Sequence, residues 1–101
     1  MSKGVAFLKD HETLLSTGFE EKARWRKENK VWLNWSRNIA LSLIGYMEDN
    51  GLTRADLARR LGVSPQYVSK ILSGKINFSF RSIAEMEDKL DLHLMNVVQP
   101  A

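Results

Sequence analysis

Apolar residues recur at steps of three and four over most of the chain, which is the spacing of one face of an α-helix. From Phe19 to Ile44 no Pro or Gly interrupts this pattern. It predicts one long helix, or two helices that meet near Asn34. Thr17 and Glu20 have the spacing of a capping box at its start. Asn50-Gly51 ends the pattern, because both residues tolerate the left-handed conformation that closes a helix.

Two short helices follow almost at once. Thr53, with Asp56 three residues later, predicts the N-terminus of the first, and Gly62 ends it. Ser64-Pro65 opens the second, since serine is a favoured N-cap and proline suits the first helical position. This second helix ends at Gly74.

The C-terminal part predicts one more helix and then a short strand. Ser79 or Ser82 caps the helix, whose apolar positions are Phe80, Ile83, Ala84 and Leu90. From Leu92 to Val98 the pattern alternates, and Pro100 follows, which favours an exposed strand. A lone strand has unpaired backbone groups that a second copy of the chain would satisfy across a two-fold axis. We therefore expect a homodimer contact at Leu92, Leu94, Asn96 and Val98.

Composition excludes several kinds of chemistry. The chain has 101 residues, about one domain, and contains no cysteine. His11 and His93 lie far apart, so no disulfide and no metal site are expected. Neither a catalytic motif nor a glycine-rich phosphate loop is present, and we expect neither an enzyme nor a cofactor. No apolar run reaches the roughly 20 residues of a membrane span and no signal peptide opens the chain, which predicts a cytoplasmic protein with no membrane partner.

Positive charge is concentrated in the middle of the chain. Residues 1–50 contain eight Lys and Arg against seven Asp and Glu, residues 51–75 contain five against one, and residues 76–101 contain two against four. By subtraction the three parts carry +1, +4 and −2, in agreement with the net charge of +3. A polyanion would be attracted to the middle part, although an ordinary solvated face has the same composition.

The two short helices in this basic part have the layout of a helix-turn-helix. Ala58 is small where the helices approach each other, and Gly62 relieves the turn. Val63 and Val68 are placed to pack the second helix against the first. In units of this geometry the second helix protrudes, and its N-terminal residues contact base edges in the major groove of DNA.

The segments Leu52–Ser64 and Val68–Lys75 resemble the XRE family of lambda-repressor/Cro-like helix-turn-helix proteins. The resemblance covers about residues 38–92 and implies an all-α bundle of about five helices. Residues 1–37 then form an N-terminal helical extension, with a further short helix over Val5–Leu15, and residues 93–101 form the strand-like tail. The tail stands where repressors of this family have a fifth helix.

The resemblance implies a set of DNA-contacting residues. By family position, the residues on the groove-facing side of the second helix are Pro65, Gln66, Ser69 and Lys70. Gln66 is the expected base reader, because a carboxamide forms a bidentate pair with adenine, and Lys70 can reach guanine or a phosphate. The expected contacts to the DNA backbone are Arg54, Tyr67, Ser73 and Lys75.

These observations predict a transcriptional regulator, and more narrowly a repressor, that binds a palindromic operator in double-stranded DNA as a homodimer. The alternative is an antitoxin of the HigA kind, which the layout of the chain also resembles. Such a protein neutralises a partner toxin and regulates its own operon. Trp25, Trp32 and Trp35 share one stripe of the long helix, where they pack into the core or form a protein interface.

Overall fold

Every regular element in the computed structural model, which describes residues 18–98, is a helix. Residues 18–28 form α1. The helices that follow are α2 (Lys30–Asn50), α3 (Arg54–Leu61), α4 (Pro65–Leu72), α5 (Phe80–Leu90) and α6 (Met95–Val98). The predicted all-α class is confirmed over this range. The chain divides into two units between Lys30 and Val31, and the second unit contains the helix-turn-helix.

The interruption between α1 and α2 lies at Asn29, five residues before the predicted position at Asn34. The Asn29 side chain donates a hydrogen bond of 2.7 Å to the carbonyl of Trp25, four residues earlier. Asparagine side chains compete for backbone groups in this way, which is why they favour helix ends. The predicted cap at Thr17 and the predicted helix at Val5–Leu15 lie outside the described residues.

Three N-caps are formed by the short polar side chains that the sequence pointed to. Thr53 Oγ1 accepts from the Asp56 amide at 3.2 Å, and the Asp56 carboxylate accepts from the Thr53 amide at 2.9 Å, which completes a capping box. Ser64 accepts from the Tyr67 amide at 3.1 Å ahead of Pro65. Helix α5 is capped by Ser79, one of the two predicted serines, which accepts from the amide of the other.

One hydrophobic core joins the helices of the second unit. Its buried members are Ile39 and Leu43 from α2, Leu57, Ala58 and Leu61 from α3, Val68 and Ile71 from α4, Ile83, Met86 and Leu90 from α5, and Leu94. On α5 the buried stripe is Ile83, Met86 and Leu90, at helical steps of three and four. Phe80 and Ala84, which the sequence placed on this face, are exposed.

The predicted strand over Leu92 to Val98 is wrong. Leu92 to Leu94 is irregular, and Met95–Val98 is a helical turn. Leu94 is fully buried in the core of its own chain, so it is not available to pair with a second copy. Asn96 is exposed, and the side chain of Val98 is not among those described.

The carboxylate of Glu87 explains the turn at the end of α5. It accepts from the amides of Leu94 at 2.7 Å and Met95 at 3.2 Å, so it satisfies amides at the start of α6 from outside that helix. Asp91 closes α5 in the left-handed conformation, with φ of 54°. An alternating sequence pattern does not reveal this arrangement, because the acceptor lies on the preceding helix.

Candidate nucleic-acid interface

Helices α3 and α4 pack directly against each other around a tight turn. Ala58 on α3 and Val68 on α4 are both buried in the shared core, and a methyl side chain at position 58 allows close approach. The turn passes through Gly62 with φ of 70°, and the Val63 amide donates to the Ala58 carbonyl at 3.0 Å. The predicted helix-turn-helix geometry is therefore present in the structure.

The outer face of α4 consists of exposed side chains. Val68 and Ile71 point into the core, and Tyr67 is half-buried against it. The residues predicted to contact bases, Pro65, Gln66, Ser69 and Lys70, are all exposed. They share the side of the helix opposite the core, and their contacts with bases stay a prediction.

Arg54 connects the two helices on this surface. Its Nη1 donates to Ser69 Oγ at 3.1 Å, across the boundary between α3 and α4. The sequence assigned Arg54 to the DNA backbone and Ser69 to bases, as separate contacts. The structure instead joins them, and the planar guanidinium keeps further N–H donors for a phosphate.

The loop after α4 is held by hydrogen bonds at both ends. Ser73 donates to the Lys70 carbonyl at 2.6 Å and accepts from the Lys75 amide at 3.3 Å. Beyond it, the Ile76 amide donates to Ser36 Oγ at 3.0 Å, on α2. Two of the predicted backbone contacts, Ser73 and Lys75, are thus presented by an ordered loop.

Ser36 supports the loop of this surface, and the sequence pattern did not identify it. It is only 2% exposed and stands on the apolar side of α2, three residues before Ile39. A buried hydroxyl needs a hydrogen-bond partner, so a serine on a core stripe is a signal that the helix receives a polar group from elsewhere. The sequence alone does not say that this group is an amide 40 residues away.

The basic character of this surface has little internal compensation. From residue 57 to residue 84 the chain contains five Lys and Arg and no Asp or Glu. Two of those cations are occupied within the chain: Arg59 pairs with Asp56, and Arg60 donates to the Tyr46 hydroxyl and lies 5.8 Å from its ring centroid. Hydrogen bonds from Thr53, with the Arg59 guanidinium nearby, lower the pKa of Asp56.

An apolar groove lies beside the loop, on the second unit. Its volume is about 580 Å³, and Trp32, Trp35 and Phe78 contribute to its lining. Both tryptophans are half-buried, and Phe80 at the rim is 81% exposed. Trp25, on α1, is 51% exposed. Of the three tryptophans, Trp35 packs against the core, and an interface role for any of them stays a prediction.

Two other kinds of site were considered for the described residues. Within residues 18–98 no three Cys, His, Asp or Glu side chains gather as a metal site would require. In the same range no helix has the length and apolar character needed to cross a membrane.

A compact pair of helices with an exposed, polar and cationic second helix defines a DNA-binding helix-turn-helix. Comparison with protein families agrees: the helix-turn-helix family matches residues 45–95, about half of the chain. The chain belongs to this family, in its XRE type, whose members are DNA-binding regulators and typically not enzymes. Searches among curated proteins and among solved structures returned no significant match. The narrower HigA-type resemblance is not supported.

Proposed function

We propose that this protein is a transcriptional repressor that inserts the N-terminal half of α4 into the major groove of its operator. The observation that carries the proposal is the outer face of α4, where Gln66, Ser69 and Lys70 are exposed together. A major groove about 12 Å wide admits a helix, and side chains on its first turns reach the base edges.

The side chains divide into readers and anchors. Gln66 pairs with adenine through its carboxamide, and Lys70, one turn later, reaches guanine or a phosphate. Arg54 holds Ser69 and directs its remaining donors at the DNA backbone. Ser73 and Lys75 anchor the other end of the helix from the loop, with Tyr67 at the flank. Anchors of this kind add affinity without sequence preference.

Two copies of the chain are needed for a full operator. Helix α4 has eight residues and is therefore about 12 Å long, which covers only a half-site. A two-fold dimer presents two such helices about 34 Å apart, on a palindromic sequence. The dimer does not use the tail as a ribbon, because Leu94 is part of the core of its own chain. Repression follows when such a site overlaps a promoter.

The test begins with selection of preferred duplexes from a random pool, followed by binding titrations at several salt concentrations. Gln66→Ala should lose about 1 to 3 kcal/mol on the selected sequence and leave non-specific binding nearly unchanged. Lys75→Ala should weaken binding to the selected sequence and to non-specific DNA alike, and it should reduce the slope of log K against log salt by about 0.9. Sedimentation with and without the duplex shows whether the chain is a monomer or a dimer in each case. Equal binding of all sequences by Gln66→Ala and the parent would show that Gln66 is not a reader.

A further inference from the structure

Arg37 is a cation that lies outside the region matched by the helix-turn-helix family, yet next to its DNA-facing loop. It is on α2, and its exposed side chain makes no hydrogen bond or ion pair with residues 18–98. By contrast, Arg59 and Arg60 are both engaged within the chain. An unengaged guanidinium at a defined place on the surface can bind an external anion.

The position of Arg37 follows from its contact with Gly74. A Cβ placed on Gly74 would lie 3.3 Å from the Cα of Arg37, 3.6 Å from its Cβ and 3.8 Å from its Cγ. The Arg37 side chain therefore leaves α2 directly beside the turn that links Ser73 to Lys75. The neighbouring Ser36 accepts from the Ile76 amide, so the loop is bonded to α2 at Ser36 and passes directly against Arg37.

No nearby carboxylate neutralises the positive charge of Arg37 and of the loop beside it. Residues 30–47, which include most of α2, contain no Asp or Glu, and neither do residues 57–84 nor 95–98. Arg37 and Lys75 thus stand on either side of Gly74 without a carboxylate on the first five turns of α2, on α4, on the loop or on α6; the acidic residues of α2, Glu48 and Asp49, lie at its far end. Two adjacent cations of this kind lower their mutual repulsion by binding an anion between them.

We propose that Arg37 binds a phosphate of the DNA backbone next to the one bound by Ser73 and Lys75. This inference rests on the proposed function and adds a contact carried by α2. Arginine is suited to it, because its planar guanidinium binds phosphate oxygens in a bidentate manner. The long α2 thereby takes part in DNA binding, while the contact carries no sequence preference.

The experiment compares Arg37→Gln, Arg37→Lys and the control Arg60→Gln with the parent on a selected duplex and on a random one. Arg37→Gln should weaken both complexes and reduce the slope of log K against log salt by about 0.9. The ratio of the parent's binding constant to that of Arg37→Gln should then fall by roughly 3.5-fold from 50 to 200 mM salt. Arg37→Lys should keep most of the slope. Arg60→Gln removes the same charge from a side chain held by Tyr46 and should leave the slope unchanged.

Thermal unfolding of each variant separates binding from folding, and Arg37 is exposed, so its variants should unfold like the parent. The assignment is overturned if the slope of Arg37→Gln equals that of the parent, or if Arg60→Gln reduces the slope as much. A change in the preferred sequence would instead make Arg37 a base contact and overturn the phosphate assignment. A parent chain that binds no duplex would refute the proposed function itself, and the Arg37 contact with it.

Discussion

Gly74→Ala tests how closely the loop approaches α2, because an added methyl group has no room there. Gly74 has φ of 72°, and an L-residue in this left-handed region costs about 1 to 2 kcal/mol. The added methyl would also lie 3.3 Å from the Cα of Arg37, a backbone atom that cannot rotate away. Overpacking of this kind costs about 1 to 3 kcal/mol. We therefore expect a loss of about 2 to 5 kcal/mol in the free energy of unfolding.

Gly51→Ala is the matched control. Gly51 has φ of 62°, so the backbone strain is similar, but nothing lies within 4 Å of an added Cβ. The entropy that alanine removes from the unfolded chain is the same in both variants and cancels in the comparison. Gly51→Ala should lose only about 1 to 2 kcal/mol. The difference between the two variants measures the steric cost of a methyl group between the loop and α2.

The assay is urea unfolding followed by circular dichroism, with thermal scans as a second measure. For a domain of this size each kcal/mol shifts the Tm by about 4 to 8 °C, so the two variants are readily resolved. Gly74→Ala should also bind the selected duplex more weakly, because the loop that carries Ser73 and Lys75 is displaced. Equal losses in the two variants would refute the argument, since backbone strain alone would then explain both.

Two further predictions concern carboxylates. Glu87→Gln should lower the free energy of unfolding by about 1 kcal/mol and increase amide exchange at Leu94, because a neutral amide accepts more weakly than the carboxylate. Glu85→Gln, an exposed change on the same helix, is the control, and an equal effect there would contradict the capping role of Glu87. Hydrogen bonds from Thr53 hold the pKa of Asp56 below 3.8, so its stabilising contribution is full above about pH 4 and is lost as pH falls through the lowered pKa. Parent stability should therefore fall more steeply below pH 4 than that of Asp56→Asn in denaturation at several pH values, and parallel curves would exclude this linkage.

Local sequence was sufficient for most of the helices and for the outer face of α4. The caps at Thr53, Ser64 and Ser79 each satisfy an amide three residues away, so the partner lies within the same short segment. Exposure on α4 follows from helical periodicity, which places Val68 and Ile71 inside and Gln66 outside. Both features depend on neighbours within about one helical turn. The sequence pattern therefore predicted the caps and the buried stripe of α4, and the resemblance to the XRE family implied which residues form its outer face.

The sequence pattern did not predict features that depend on a hydrogen bond or a packing contact with another element. The alternation from Leu92 to Val98 favoured a strand, but Glu87 caps a helical turn there, and Leu94 completes the core. Similarly, the pairing of Arg54 with Ser69 depends on the angle between α3 and α4, which no spacing along the chain specifies.

The loop after α4 combines features that follow from the local sequence with contacts that depend on the tertiary structure. The sequence by itself determined that the helix stops by Gly74, with Ser73 directly before this glycine and Lys75 directly after it. Only the tertiary structure decided that Ser36 accepts the loop amide and that Arg37 stands against Gly74, because these contacts join residues 40 and 37 positions apart. Helices form from interactions between near neighbours, whereas the arrangement of a binding surface depends on which faces meet when the core is buried.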